Sequence, residues 1–290
     1  MTDTQKQNVQ WFPGHMAKAT RKIKESLPLV DCVSVLLDAR IPMSSMNPDL
    51  DSIIEEKPQI ILLNKCDLAD NNTTRLWIEY FKNQDKIAIA VDCRSGRGLK
   101  QYREAVETVC AEKIQANVEK GMVGKAIRTM VVGIPNTGKS SLINRMTGNK
   151  RAKVEDRAGV TRHNQWFVAP GGLELLDTPG VLWPKFDDPS VGDKLAITGG
   201  VKDQVYDIET LACRFLEILA KDYPTRLTER YKMTDFDGLN GHELLELLGR
   251  KRGMLISGGE IDTERAAIIL IDEFRAGKLG RLSFEKPDLD

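Results

Sequence analysis

Gly133-Ile134-Pro135-Asn136-Thr137-Gly138-Lys139-Ser140 is the stretch that decides how this chain is read. It fits the pattern GxxxxGK[ST], follows the apolar run Ala126–Val132 and opens a helical segment that reaches about Met146. Glycines let such a loop curl until its backbone N–H groups point inward, and the helix N-terminus behind it adds partial positive charge. A strand-to-helix loop of this kind cradles phosphate. The pattern arises by chance in about one chain in a hundred of this length, so a plain glycine-rich turn is the weaker reading. Gly133, Pro135, Thr137, Gly138 and Ser141 then line the cradle, Lys139 reaches the β- and γ-phosphates, and the Ser140 hydroxyl ligates Mg²⁺.

Outward from that loop, strand-like apolar runs alternate with helical stretches. Cys32–Leu37 ends in Asp38-Ala39-Arg40, Ile60–Leu63 in Asn64-Lys65, and Ile87–Val91 in Asp92-Cys93-Arg94. Thr73–Lys82 and Leu99–Lys120 have helical spacing between them, so parallel βαβ units are expected. Gln165–Val168 and Leu173–Leu176 flank the turn Pro170-Gly171-Gly172. Asp187–Asp203, rich in Asp, Gly and Pro, reads as a loop or hinge. Beyond it only amphipathic helices are expected: Ile208, Leu211, Ala212, Phe215 and Leu219 share one face, and His242–Leu248 and Thr263–Ala276 follow.

Three further segments bear on the phosphate site. Asp177-Thr178-Pro179-Gly180 closes an apolar strand, where Asp177 suits Mg²⁺ through a water and the Gly180 amide can approach a γ-phosphate. Thr161, within Gly159–His163, is placed between the two phosphate motifs to ligate Mg²⁺ and sense the γ-phosphate. Asn64-Lys65-Cys66-Asp67 matches NKxD at the carboxyl end of a strand, where α/β sheets bind ligands. A carboxylate at Asp67 accepts hydrogen bonds from guanine N1–H and the exocyclic amine; adenine offers no such donor pair. Lys65 can lay its stem over the base, and Asn64 can tie this loop to the phosphate loop.

Taken together these residues resemble the guanine-nucleotide motifs of Ras-like GTPases, with the base motif preceding the phosphate loop. That order resembles the circularly permuted, TRAFAC-class GTPases. Trp11-Phe12-Pro13-Gly14-His15-Met16 further resembles the ribosome biogenesis GTPase A (RbgA, or YlqF) family. The resemblance implies a circularly permuted Ras-like α/β GTPase domain over residues 1–186, a linker over 187–204 and a small all-α domain over 205–290. It implies GTP hydrolysis with Mg²⁺, and the large ribosomal subunit and its rRNA as partners in late assembly. One segment departs from the family pattern: Asp92-Cys93-Arg94 stands where Ser-Ala-Lys is usual in the second base loop. Val181 stands where Ras-like enzymes place the water-orienting Gln. Asn136 resembles the Asn that supports a K⁺ ion beside the phosphates, and His15 matches the family's His, proposed to act on the attacking water.

Composition narrows the setting without choosing a partner. Forty-two basic and 42 acidic residues give zero formal charge, so contacts to nucleic acid would rest on local patches. Lys18, Arg21, Lys22 and Lys24 form one such patch and Arg250-Lys251-Arg252 another, each equally readable as solvated surface. Five scattered cysteines without a CxxC pair, and no signal-like or membrane-spanning stretch, fit a reduced cytoplasmic protein with neither zinc site nor disulfide framework. A switch binding a non-ribosomal protein effector is the alternative to assembly work. In either case the permuted order leads the Asp177–Gly180 loop through Val181–Asp203 into the helical domain.

Overall fold

The alternating apolar runs of the first half of the chain become the strands of one sheet in the computed structural model, which describes residues 13–148, 165–183, 186–202 and 205–288. The elements run α1 (Pro13–Ser26), β1 (Cys32–Asp38), α2 (Pro42–Ser45), α3 (Pro48–Ile54), β2 (Gln59–Asn64), α4 (Asn71–Lys82), β3 (Ile87–Ala90), α5 (Leu99–Val109), α6 (Ala111–Glu119), β4 (Ile127–Val132), α7 (Lys139–Thr147), β5 (Gln165–Ala169) and β6 (Leu173–Asp177). The strand order is β3-β2-β1-β4-β6-β5. All neighbours are parallel except the β5–β6 hairpin.

Both faces of the sheet are covered. Odd and even positions of a strand face opposite ways, and β1 sends Cys32 and Leu36 into one core while Val33, Val35 and Leu37 enter the other. Tyr102, Val106, Leu142 and Ile143 of α5 and α7 fill the first core. Ile23, Leu50, Ile54, Trp77 and Phe81 of α1, α3 and α4 fill the second. Ser34, polar in mid-strand, is accommodated by 2.8 and 3.0 Å hydrogen bonds to the Tyr102 and Thr129 hydroxyls.

Three local expectations change. The helix expected over Leu99–Lys120 is broken at Cys110, which is buried in the first core beside Cys32. Helices α2 and α3 were not visible in the sequence periodicity; α3 is started by Asn47, whose side chain accepts from the Asp49 and Leu50 amides ahead of Pro48. Within Asp187–Asp203, Pro189–Thr198 is a helix, α8, rather than a loop. Its Asp, Pro and Gly are end signals: Asp188 caps the N-terminus, Pro189 opens the first turn and Gly199 adopts φ 82° after the last.

The chain forms two compact units, the sheet-bearing one over Trp11–Phe186 and again from Leu282 on, the helical one over Asp187–Arg281. The helical unit adds α9 (Ile208–Asp222), α10 (Pro224–Tyr231), α11 (Gly241–Lys251) and α12 (Thr263–Arg275) to α8. Leu211, Phe215 and Leu219 of α9 are buried as the helical face predicts, with Leu216 beside them, while Ile208 is only half-buried. Gly241 lets α11 approach α9 closely, since a Cβ there would stand 2.6 Å from the Cys213 carbonyl oxygen. Residues after Arg281, expected in the helical domain, instead pack on the sheet-bearing unit through backbone pairing and a buried Leu282 and Ser283. The helical unit is therefore inserted into the other one, not appended to it.

Candidate nucleotide-binding site

The chain lays β1, β2 and β3 in one direction and then starts β4 on the opposite side of β1. This reversal, between β1 and β4, is where an open α/β sheet leaves a crevice at its carboxyl edge. The phosphate loop leaves β4 there, the Asp38 turn leaves β1, the NKxD loop leaves β2, Asp92–Arg94 follows β3, and Asp177–Gly180 follows β6. Permutation alters the order of the motifs in the chain; the sheet gathers them at one edge.

The phosphate loop has the geometry its sequence demands. Asn136 and Gly138 adopt left-handed φ values of 59° and 101°, which curl the chain before α7. The buried Lys139 ammonium donates to the carbonyls of Gly133 and Ile134 at 3.0 and 2.7 Å, bridging its own loop. Burial pushes this lysine down to about 8, against the opposing pull of the Asp177 carboxylate. Asp177 is itself buried at the end of β6, and the Thr178 hydroxyl donates to the Val131 carbonyl at 2.7 Å, pinning this turn to β4.

Gly180 lies directly against the phosphate loop. A Cβ there would fall 2.6 Å from the Pro135 nitrogen and 2.8 Å from its Cα, so the approach is open to glycine alone. Next to it the Val181 amide donates to the Gly133 carbonyl at 3.3 Å, and the Val181 side chain is buried in the second core. Asn47 holds the other side of this residue, its amide donating to the Val181 carbonyl at 3.1 Å. Val181 is packed away, which leaves the position without a polar side chain to orient water.

Asn64 joins three loops. Its amide donates to the Thr137 carbonyl at 2.6 Å and its carbonyl oxygen accepts from the Cys93 amide at 3.1 Å. The first bond is the tie expected from the sequence; the second extends it to the Asp92 loop. Within that loop the Asp92 carboxylate accepts from the Arg94 amide at 2.8 Å. Burial would raise its carboxyl, but the Ser95 hydroxyl and the Arg94 and Ser95 amides hold it below the usual carboxylate range. Asp92 thus shapes its own loop from within, and the Cys93 backbone, not its buried side chain, engages the base motif.

A charged cluster that the sequence reading left without a role lies beside the base motif. Arg40 grips Asp38 with two bonds, Nε to Oδ1 at 2.9 Å and Nη2 to Oδ2 at 2.7 Å, and both residues are buried. Lys65, at φ 60°, brings its ammonium 3.0 Å from the same Asp38 Oδ2. Burial would raise the Asp38 carboxyl, but the Arg40 and Lys65 charges override it and hold it well below the carboxylate range. Removing one partner from such a buried set costs about 3–5 kcal/mol, so the cluster fixes the backbone of Lys65 just ahead of Asp67. Asp67 is half-buried. Thr161 lies outside the described residues, and His15, on the first turn of α1, is described only in its backbone.

The sequence model of the family described as "50S ribosome-binding GTPase" matches residues 128–249. Ribosome biogenesis GTPase A of Bacillus cereus is 45% identical over 280 residues, 97% of this chain and 94% of that protein. The chain belongs to the ribosome biogenesis GTPase A family. Within the family, the Thermotoga maritima protein is 34% identical over 97% of this chain and 95% of its own length. A solved GDP-bound YlqF superposes with a TM-score of 0.67 at 33% identity, over 92% of this chain and 99% of that one. A GNP-bound YlqF from T. maritima gives 0.64 at 30% identity, over 93% and 99%. As a ribosome biogenesis GTPase A the chain binds GTP and GDP and hydrolyses GTP, with Mg²⁺ the metal typical of such enzymes. Among the described residues, no helix is long and apolar enough to cross a membrane.

Proposed function

We propose that this GTPase acts late in assembly of the large ribosomal subunit, binding rRNA in its GTP form and leaving after hydrolysis. The observation that carries the reading is near full-length similarity to proteins named ribosome biogenesis GTPase A, together with the match to a "50S ribosome-binding GTPase" family. Exposed Lys18, Arg21 and Lys24 on α1 supply a basic face suited to phosphate contacts. The second basic cluster is less available, because Arg252 pairs with Glu273 at 3.2 Å and lies over the Tyr231 ring, leaving Arg250 and Lys251 exposed. Sedimentation with ribosomal subunits in GTP, GDP and a non-hydrolysable analogue tests the reading. Enrichment on the large subunit with GTP and the analogue, plus faster hydrolysis, is expected. Absence of ribosomal association in every nucleotide state would instead favour a protein effector elsewhere.

In the site, Lys139 holds the β- and γ-phosphates, the backbone N–H groups of Gly133–Ser141 other than Pro135 cradle them, and Gly180 meets the γ-phosphate. Asp67 reads guanine, Lys65 flanks the base, and the Asp92–Arg94 backbone closes its far side. Ser140, Asp177 and Thr161 would hold Mg²⁺, which neutralises charge on the phosphates. The donor set is hard oxygen, the type Mg²⁺ prefers. In this reading Asn136, at positive φ in the phosphate loop, would support K⁺ beside the phosphates, and His15 would act on the attacking water. With Val181 buried, turnover is slow until the ribosomal subunit stimulates it. His15→Ala is expected to lower kcat at least tenfold with GTP affinity unchanged, and wild-type turnover to be faster in K⁺ than in Na⁺. Weakened nucleotide binding in the variant would remove His15 from the reaction.

A further inference from the structure

The segment after the helical unit returns to the two loops that flank the base motif. The Leu282 amide donates to the Leu68 carbonyl at 2.9 Å, one residue past Asp67. The Ser283 hydroxyl accepts from the Asp70 amide at 3.1 Å, at the residue that caps α4. The Phe284 amide donates to the Arg40 carbonyl at 2.9 Å. The Glu285 carboxylate accepts from the Met43 amide at 2.8 Å and from the Ser44 amide and hydroxyl, while its carbonyl accepts from Trp77 Nε1 at 3.2 Å. Four successive residues therefore staple the turn after β1 to the turn after β2. Those turns carry the Arg40–Asp38–Lys65 cluster and Asp67 between them.

We propose that Leu282–Glu285 is a positioning strap for guanine recognition, setting the placement of the Asp67 carboxylate although no strap residue need touch nucleotide. The proposal rests on the reading of Asp67 as the guanine contact. A carboxylate that must meet two ring donors at once tolerates little displacement; shifts of about 0.5–1 Å already spoil such geometry. The NKxD loop is fixed on its inner side by Asn64 and Lys65, and on its outer side by the strap bonds at Leu68 and Asp70. Loosening the outer side frees the Asp67 end of the loop while the phosphate loop keeps its own bonds.

The test compares affinities for GTP and inosine triphosphate, which keeps the ring N1–H but lacks the exocyclic amine. Asp67 alone among the proposed contacts reads that amine, so the ratio of the two affinities reports its placement. Glu285→Ala is expected to lower the GTP preference about fivefold or more and to speed guanine-nucleotide release; Glu285→Gln, which keeps one acceptor oxygen, recovers part of both. Ser283→Ala, a milder cut at the Asp70 end, is expected to shift the ratio in the same direction and serves if Glu285→Ala does not fold. A lowered Tm with an unchanged ratio in Glu285→Ala, or in Ser283→Ala where Glu285→Ala does not fold, would overturn the proposal and leave the strap a purely structural clasp. Asp67→Asn separates the two ideas: if that variant also keeps the wild-type ratio, it is the Asp67 reading that fails.

Discussion

Asp67→Asn is expected to lower GTP affinity by about two to four orders of magnitude and to raise affinity for xanthosine triphosphate. In the proposed role the carboxylate accepts two charge-assisted hydrogen bonds from guanine, each contributing about 1.5–3 kcal/mol. An amide keeps one acceptor but turns its NH₂ toward the guanine amine, donor against donor. Xanthine carries a carbonyl where guanine carries that amine, so the same amide becomes complementary to it. Because Asp67 is only half-buried, the fold should tolerate the change. Competition binding with the two nucleotides, alongside Tm, checks this. Retained GTP preference would show that another residue reads the base.

Lys139→Ala is expected to cost about two to three orders of magnitude in GTP affinity, since the ammonium is the one buried cation of the phosphate loop among the described residues. The wild type should also show a pH signature. Free Lys139 sits at about 8, pushed down by burial. Phosphates held by Lys139 as proposed would raise it, so binding is expected to take up a proton between about pH 8 and the higher value of the complex. Below pH 8 the lysine is charged in both states and its contribution to affinity is flat. Above pH 8 the free form is neutral and affinity falls, by up to about tenfold per pH unit. Titration calorimetry in buffers of differing ionisation heat measures the uptake. If the slope above pH 8 persists in Lys139→Ala, another group is responsible.

The motifs were legible because each is contiguous: the phosphate loop, NKxD and Asp177–Gly180 all lie on short unbroken stretches beside recognisable strands. The parallel sheet was legible for the same reason, through short apolar runs alternating with helical stretches. What escaped depends on neighbours across space. Asp38-Ala39-Arg40 was visible as a strand end, but its tie to Lys65 requires β1 and β2 to lie side by side in register, Asp38 opposite Asn64. The role of Asp92 in its own loop, where a Ser was anticipated, hinges on turn geometry that one unusual triplet does not announce. In α8 the residues that signal a loop were the caps of a helix. The return of Leu282–Glu285 left no periodic trace, because its bonds are mainly backbone amides and one carboxylate reaching residues more than 200 positions away.

That return has a consequence for the order in which the protein can be finished. The bond between Asp70 and Ser283 spans 213 residues, and everything in the helical unit is made before its second partner exists. At about 5–20 residues per second, Asp70 waits roughly 10–40 s during synthesis for Ser283. A nascent chain can therefore present a complete phosphate loop while its base side is still unclasped. Closing so long a loop adds only slowly to the entropy cost as it lengthens, so the delay is set by translation and not by the search. If the strap sets the Asp67 carboxylate as proposed, full selectivity for guanine is acquired only after the helical unit has been made.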